Sequence, residues 1–200
     1  MKRKIAVFDF DGTITNKDTL LEFIRYTKGS VGLWMTFLLF SPLLICYKMK
    51  LYPNWKIKEL IFSFLYKGVT RKEFDKLCTC FFQFKGISLI RWDAREKILS
   101  LQKEGYEILI ISASIEDWVK PFAEYLNAST LLATIPEFDR QDKLTGYFQN
   151  KNCFGKEKVN RLLNLYPNRE DYELIAFGDS RGDRDLLDFA DQGYYRVFTK

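Results

Sequence analysis

The segment Ile5-Ala-Val-Phe-Asp-Phe-Asp-Gly-Thr13 begins with four apolar residues and ends in two carboxylates and an Asp-Gly pair. Residues Ile5 to Phe10 therefore predict a short buried β-strand, and Asp11-Gly12 predicts the turn that ends it. A strand this apolar is typical of a sheet whose two faces are both covered by helices. The segment thus favours an α/β fold with this strand inside the sheet.

Further apolar runs of the same kind follow along the chain. We predict additional strands at 106–112, 129–134, 173–177 and 194–198, and helices at 89–104, 115–126, 157–165 and 183–190. Strands that alternate with helices predict a doubly wound, mostly parallel sheet. Ligands bind such sheets at the carboxyl ends of the strands, so polar residues at those ends are the candidate site residues.

Residues 16–88 interrupt this alternation because they are helical in pattern, aromatic and basic. We predict that they form a helical cap domain inserted into a catalytic core made of 1–15 and 89–200. Residues 48–76 contain eight basic and three acidic side chains, so their net charge of +5 equals that of the whole chain. Such an excess is compatible with an anionic membrane or a solvated face. We expect no nucleic-acid partner, because the sequence contains no Arg-rich helix or zinc finger.

The stretch Gly29–Tyr47 contains nineteen residues without a charge. Its length is marginal for a transmembrane helix. A single span here would also separate Asp9 from the remaining strands of the sheet. Because proline disrupts a helix interior, we predict two short helices that meet near Pro42. Their aromatic side chains either pack inside the cap or contact a membrane interface.

The chain contains no histidine, which excludes Ser-His-Asp and Cys-His catalysis and metal sites built on imidazole. Catalysis must therefore use carboxylates, lysines, hydroxyls or a hard metal ion held by oxygen. The N-terminal residues lack the pattern of a signal peptide, and the four scattered cysteines favour reduced thiols. We expect a cytoplasmic protein.

Asp9 and Asp11 are two residues apart, so both side chains project to the same side of an extended chain. Their charges repel, and a divalent cation removes this conflict, which favours a magnesium site. One carboxylate can then serve as nucleophile and the other as general acid and base. Taken alone, the pair is equally typical of a solvated turn.

Polar residues follow other predicted strands as well. Asp179 and Asp183 form a second acidic pair, although this pattern is also typical of a helix N-terminus. Ser112 ends a strand, where its hydroxyl and the following amides can hold a phosphate oxygen. Lys156 and Lys158 begin a helix and either supply positive charge to the site or lie on a solvated face.

In combination, DxDGT at 9–13, the strand that ends in serine, the lysines that open a helix and GDSxxD at 178–183 resemble the haloacid dehalogenase superfamily of phosphohydrolases. The chain is most similar to the phosphoserine-phosphatase-like branch. This resemblance implies a Rossmann-like core, an inserted helical cap and magnesium-dependent hydrolysis of phosphate monoesters through an aspartyl-phosphate.

The resemblance also implies a role for each motif residue. The nucleophile falls on Asp9, and the general acid and base falls on Asp11. The metal is held by Asp9, the backbone carbonyl of Asp11 and Asp179, with Asp183 and Gly12 in support. Ser112 and either Lys156 or Lys158 bind the phosphate group.

The substrate remains open between two classes. Asp18 lies where phosphoserine phosphatases tend to place a Glu, which favours phosphoserine or another small metabolite. No arginine lies between Arg25 and Arg71 to clamp a carboxylate, however. The apolar stretch around Pro42, the basic run after it and Cys153-Phe-Gly resemble bacterial phosphatidylglycerophosphate phosphatases.

That second resemblance implies a lipid phosphate and peripheral contact with the anionic inner membrane surface. A non-catalytic binding module is the remaining alternative. The intact carboxylates at positions 9, 11, 179 and 183 argue against it.

Overall fold

The computed structural model describes residues 2–49 and 51–199. Lys50, which belongs to the predicted basic run, and the side chain of Tyr47 lie outside the described part. The strands are β1 (Arg3–Phe8), β2 (Glu107–Ile115), β3 (Thr130–Thr134), β4 (Pro136–Phe138), β5 (Leu144–Phe148), β6 (Tyr172–Gly178) and β7 (Gln192–Tyr195). Five of them form one parallel sheet in the order β3-β2-β1-β6-β7.

Most of the helices lie between β1 and β2 in the chain, and the others follow β2. They are α1 (Thr19–Lys48), α2 (Asn54–Tyr66), α3 (Arg71–Phe81), α4 (Ile87–Leu89), α5 (Trp92–Lys103), α6 (Glu116–Tyr125), α7 (Lys156–Leu165) and α8 (Arg184–Phe189). A π-helical turn at Phe82–Gly86 joins α3 to α4, and 3₁₀ turns lie at Arg169–Asp171 and Arg181–Asp183.

The central strand β1 is buried on both faces. Ala6 and Phe8 contact one hydrophobic cluster, and Ile5 and Val7 contact a second cluster on the opposite face. All four side chains are fully inaccessible to solvent. This arrangement confirms the predicted α/β class with a parallel sheet covered on both sides.

The strand order brings the predicted site residues to one edge of the sheet. Phe8 at the end of β1 pairs with Ile110 of β2 and with Phe177 of β6. The residues that follow in each strand therefore share one edge. The amide of Asp9 donates to the carbonyl of Phe177 at 2.9 Å, which holds the loop after β1 against β6.

The first helix is kinked at a position that differs from the prediction. The break lies at Gly29, where φ is 73° and ψ is 172°, a conformation favourable only to glycine. The helix continues through Pro42, so the predicted break there is wrong. Proline has no N–H to donate to the carbonyl of Leu38, but the hydroxyl of Ser41 donates to that carbonyl at 2.8 Å. This substitute hydrogen bond explains why the helix tolerates Pro42.

Other boundaries also differ in detail. Strand β2 continues past Ser112 to Ile115, with a register shift against β3 after Ile111. The last strand lies at Gln192–Tyr195, earlier than predicted. The antiparallel β4–β5 hairpin was not predicted. Its Phe148 packs against Phe62 of α2 with ring centroids 5.5 Å apart, so the hairpin connects the sheet region to the inserted helices.

The segment Thr19–Cys46 is long and apolar enough to cross a membrane, by length and composition alone. Only 11% of its most apolar window is buried. Trp34 is 72% exposed and Leu38 is 77% exposed, so this part of α1 presents large apolar side chains outward.

Candidate active site

A cavity of about 670 Å³ opens at the carboxyl edge of the sheet. It brings together seven of the predicted site residues: Asp9, Asp11, Gly12, Asp18, Ser112, Lys158 and Asp179. Asp183 is fully buried and accepts a hydrogen bond from Lys158, which lines the cavity. Lys156, by contrast, is exposed and does not line the cavity.

Lys158 is the lysine that reaches the carboxylates. Its Nζ donates to Asp9 Oδ1 at 2.5 Å, to Asp183 Oδ1 at 2.6 Å and to the carbonyl of Ile111 at 2.9 Å. Burial lowers the pKa of Lys158, but the charges of Asp9 and Asp183 outweigh burial and raise it above its usual value. The lysine is therefore a fixed positive charge inside the site.

Asp9 carries one engaged and one available oxygen. Lys158 binds Oδ1, and in the described part of the chain no hydrogen bond reaches Oδ2. Burial raises the pKa of Asp9 to about 7, although the charge of Lys158 acts in the opposite direction. Burial thus disfavours the ionised carboxylate, and positive charge close to it favours that form.

Asp183 fixes the loop after β6. Its Oδ2 accepts hydrogen bonds from the amide of Asp179 at 3.2 Å, the amide of Ser180 at 2.9 Å and the hydroxyl of Ser180 at 2.7 Å. Burial raises its pKa, but Lys158 and these donors outweigh burial and lower it. Both oxygens of Asp183 are therefore engaged, and the side chain holds the loop that carries Asp179. Ser180 meanwhile caps the following turn by accepting from the amide of Gly182 at 3.1 Å.

The acidic cluster fits a hard divalent cation. Asp9, Asp179 and Asp183 each have a carboxylate oxygen within 4.8 Å of the other two, and Asp9 and Asp179 are the pair with an oxygen left to bind the ion. Among the residues that the structure describes, none donates a hydrogen bond to the buried Oδ1 of Asp179, and burial together with the charge of Asp183 raises the pKa of Asp179. Gly12 has a φ of +84°, and a Cβ there would overlap the Asp179 carboxylate. Glycine therefore lets the two loops approach closely enough to form a site of the oxygen-donor type that magnesium prefers.

Asp11 is held by residues that the sequence analysis did not identify. Its Oδ1 accepts from the amide of Thr19 at 2.7 Å and from the Thr19 hydroxyl at 2.6 Å, and its Oδ2 accepts from the Ser114 hydroxyl. Trp118 Nε1 in turn donates to the Thr19 hydroxyl at 3.2 Å. Burial and the charge of Asp18 raise the pKa of Asp11 despite these hydrogen bonds. General acid and base catalysis is most efficient when the pKa of the group lies near the operating pH, and a carboxyl group with a raised pKa is closer to this condition.

Ser114 was predictable in principle. It follows Ser112 by two residues in β2, and alternate residues of a strand share a face. Ser112 is 1% exposed, and its Oγ accepts from the amide of Ser114 at 3.0 Å. That amide is therefore engaged within the strand, whereas the Ser112 hydroxyl hydrogen is available for an anion in the cavity.

The outer part of the cavity is formed mainly by polar residues. Asp18 lines it, and its Oδ1 also accepts from the amide of Leu21 at 3.2 Å, so it caps α1. An arginine does reach this cavity, because Arg91 lines it from the start of α5. Arg91 lies outside the stretch between Arg25 and Arg71 because it follows the inserted helices. The remaining outer lining includes Asn16, Lys17, Asn54, Lys58, Phe154 and Arg181.

Comparisons with known proteins identify the family of the chain. A family profile described as haloacid dehalogenase-like hydrolase matches residues 6–188. Protein CicA of Caulobacter vibrioides is 32% identical over 198 residues, which cover 97% of this chain and 86% of CicA. A phosphoserine phosphatase of Wolinella succinogenes is 24% identical over 206 residues, which cover 94% of this chain and 85% of that protein.

Solved structures share the fold. A Bordetella pertussis Tohama I protein of unknown function superposes with a TM-score of 0.82 at 19% identity, covering 94% of this chain and 87% of the other. A phosphoserine phosphatase with a phospho-aspartyl intermediate analogue superposes with a TM-score of 0.65 at 20% identity, covering 98% of this chain and 86% of the other. The profile match and the similarity to CicA extend over nearly the whole sequence. The chain therefore belongs to the haloacid dehalogenase-like hydrolase family.

Proposed function

We propose that this hydrolase is a magnesium-dependent phosphatase that cleaves phosphate monoesters through a phosphate bound covalently to Asp9. The observation that carries the proposal is the position of Asp9, whose Oδ1 is held by Lys158 at 2.5 Å at the floor of the cavity. The other oxygen is then the nucleophile. The Wolinella phosphoserine phosphatase, as a relative over most of the chain, supports the same reaction class.

In the first step, Asp9 Oδ2 attacks phosphorus, and the ester P–O bond breaks as the new O–P bond forms. Asp11 donates its proton to the departing alkoxide oxygen, and its raised pKa favours carrying that proton beforehand. Lys158 and the Ser112 hydroxyl balance charge on the phosphate oxygens. Phosphoryl transfer depends mainly on positioning and on neutralising charge, which these buried groups provide.

In the second step, Asp11 as a carboxylate takes a proton from water, and the water oxygen attacks phosphorus. The bond between Asp9 and phosphate breaks, inorganic phosphate leaves, and Asp11 is protonated again. A magnesium ion held by Asp9, Asp179 and the backbone carbonyl of Asp11 would neutralise negative charge shared by the carboxylates and the phosphate. Asp183 keeps Asp179 in position through the loop hydrogen bonds described above.

We also propose that residues 16–88 act as a cap over a core made of 1–15 and 89–200. The cap supplies Lys17, Asp18, Asn54 and Lys58 to the wall of the catalytic cavity, so it contacts the part of the substrate beyond the phosphate. Asp18 in this wall supports an ammonium-bearing substrate such as phosphoserine, and Arg91 supplies a cation for a carboxylate.

The substrate that we favour is a lipid phosphate such as phosphatidylglycerophosphate, and a small metabolite is the alternative. The support is the apolar outward face of α1, where Trp34 is 72% exposed and Leu38 is 77% exposed. Exposed Lys48 ends the same helix. Buried apolar area and lysines near an anionic leaflet, at roughly 1 kcal/mol each, together hold a protein reversibly at a membrane surface. The protein would then work in the cytoplasm at the inner membrane surface.

The reaction class is tested by measuring phosphate release from phosphoserine, sugar phosphates, nucleotides and phosphatidylglycerophosphate. We expect at least one monoester to be hydrolysed with magnesium, no turnover in EDTA, and recovery when magnesium is restored. Mass spectrometry of the quenched reaction should place one phosphate on the peptide that contains Asp9. Failure to hydrolyse any monoester, or full activity without metal, would contradict the proposal.

Membrane contact is tested by co-sedimentation with liposomes of graded anionic lipid content at two salt concentrations. Binding should rise with anionic lipid, fall with salt and weaken in Trp34→Ser. Trp55→Ser is the matched control, because Trp55 is also exposed but lies on α2. Absence of binding under every condition, together with rapid turnover of a small phosphate ester, would favour the small-metabolite alternative.

A further inference from the structure

A second cavity of about 480 Å³ lies beside the catalytic cavity. Lys17 and Asp18 line both cavities, so the two cavities are separated by these two residues. We propose that this second cavity, here called the α1 cleft, binds an uncharged apolar chain on the substrate while the phosphate group occupies the catalytic cavity. The inference rests on the proposed phosphatase activity and names the substrate class of that site.

The apolar walls of the α1 cleft come from both sides of the kink in α1. Leu21 precedes the kink, whereas Leu33, Trp34 and Phe37 follow it. Leu21 and Leu33 would lie about 18 Å apart along a straight helix with a rise of about 1.5 Å per residue. The kink at Gly29 changes the direction of the helix between these residues, which allows both parts to line one cleft.

The charged side chains of the α1 cleft balance one another. Glu22 accepts a hydrogen bond from Arg25 at 2.5 Å and lies 3.7 Å from Lys17. Asp18 accepts from the amide of Leu21 at 3.2 Å. Glu22 is thus the partner of both cations, and the four charged side chains, Lys17, Asp18, Glu22 and Arg25, sum to zero net charge. The charged side chains lie at the end of the cleft next to the catalytic cavity, and the apolar wall beyond them favours an uncharged chain over a second charged group.

The walls of the α1 cleft are packed against the fold on one side and open to solvent on the other. Leu33 is 5% exposed, and Leu21 and Phe37 pack against the main hydrophobic cluster. Trp34 is 72% exposed, so its indole has apolar surface available for a ligand. The cleft volume lies within the range of about 300–1,000 Å³ that is usual for small-molecule sites. A compact ester such as phosphoserine would leave this surface uncovered.

The test compares kcat/KM for soluble straight-chain alkyl phosphates from methyl to octyl phosphate, in magnesium and without vesicles. For the wild-type protein we expect kcat/KM to rise by up to about fourfold per methylene that enters the cleft. In Trp34→Ala the ratio of octyl to methyl phosphate should fall towards one. Trp55→Ala removes the same side chain from a partly exposed site outside the cleft, and should keep the wild-type ratio.

The outcomes separate this inference from the proposed activity. Methyl and octyl phosphate hydrolysed with equal kcat/KM would overturn the α1 cleft as a chain site and leave the phosphatase reaction intact. A chain-length preference that persists in Trp34→Ala would also overturn it. If no ester is hydrolysed, the proposed activity fails, and calorimetry still tests the cleft. Octyl phosphate should then bind wild type more tightly than Trp34→Ala, and equal binding would exclude the cleft.

Discussion

The carboxyl edge of the parallel sheet and the part of α1 after Gly29 differ in which side chains they bury and which they expose. At the sheet edge, Asp9, Lys158 and Asp183 are nearly inaccessible to solvent and joined by hydrogen bonds of 2.5 and 2.6 Å. After the kink, α1 instead exposes apolar side chains such as Trp34. Charged groups are usually exposed and apolar groups are usually buried. The sheet edge and this part of α1 each show the reverse.

This contrast separates two tasks. In the proposed mechanism, the buried charges at the sheet edge position the phosphoryl group in the same way for every ester. In the proposed α1 cleft, side chains of α1 contact whatever is attached to the phosphate. Substitutions at the sheet edge should therefore lower turnover of all substrates, whereas substitutions in α1 should change which substrate is preferred.

The largest expected effect is that of Asp9→Asn. The amide has nearly the same shape as the carboxylate but is a poor nucleophile, so turnover of every ester should fall by at least about 10⁴-fold, as in other enzymes that lose a catalytic nucleophile. Steady-state kinetics on short and long esters measures this loss. Circular dichroism should report a retained fold. Substantial activity in a folded Asp9→Asn protein would contradict the assigned mechanism.

Asp11→Asn should lower turnover by roughly 10²–10⁴-fold, the usual contribution of a general acid and base. Both formation and breakdown of the phosphorylated enzyme should slow, because one carboxyl group moves the proton in both steps. Rapid-quench measurement of the phosphorylated enzyme separates the two rates. A defect confined to one step would show that Asp11 has only one of the two roles.

The two lysines of α7 provide a matched pair for stability. Lys158→Met leaves Asp9 and Asp183 buried without their cation, and loss of one partner of a buried ion pair costs about 3–5 kcal/mol. Lys156→Met removes an exposed side chain and should change stability little. Urea unfolding at neutral pH compares them. Equal stability of the two variants would contradict the buried network around Lys158.

Asp179→Asn should act through metal affinity. The substitution replaces a carboxylate of the acidic cluster by a neutral amide and so removes one negative charge. The magnesium concentration that gives half-maximal activity should therefore rise by about one order of magnitude. High magnesium should restore part of the activity in Asp179→Asn but none in Asp11→Asn. The reverse pattern of rescue would mean that the roles of the two residues are exchanged.

The sequence predicted the parts of this molecule that depend on local pattern. The apolar runs before Asp9 and Asp179 identified β1 and β6, and parallel pairing then brought both acids to one edge. The choice between Lys156 and Lys158 depends on which side of α7 faces the sheet. The sequence does not reveal this, because both lysines lie in the first turn of the helix. The hydrogen bonds of Asp11 join residues from α1 and β2, and no local pattern marks such a contact.

The predicted position of the break in α1 is the most instructive error. Pro42 carries the strongest local signal for a helix break, yet Ser41 supplies the hydrogen bond that makes it tolerable. Gly29 carries a weaker signal, because glycine is compatible with a helix as well as with a break. Ile24 and Leu33, on the two sides of the kink, are both buried in the main hydrophobic cluster, and no local pattern marks such packing.

Gly29→Ala is the smallest effect on turnover that we predict, and it tests whether α1 sets substrate choice. A Cβ at this position meets no atom of the described residues within 4 Å, so the substitution causes no clash with them. The cost comes from the backbone alone, because a φ of 73° with a ψ of 172° is strained for alanine by about 1–3 kcal/mol. Unfolding in urea should report this loss, and Ser30→Ala is the neighbouring control with no such strain. Relief of the strain by straightening of α1 would also separate Leu21 from Leu33, so the preference for octyl over methyl phosphate should weaken. Wild-type stability and wild-type chain preference in Gly29→Ala would together contradict a kink that requires glycine and shapes the α1 cleft.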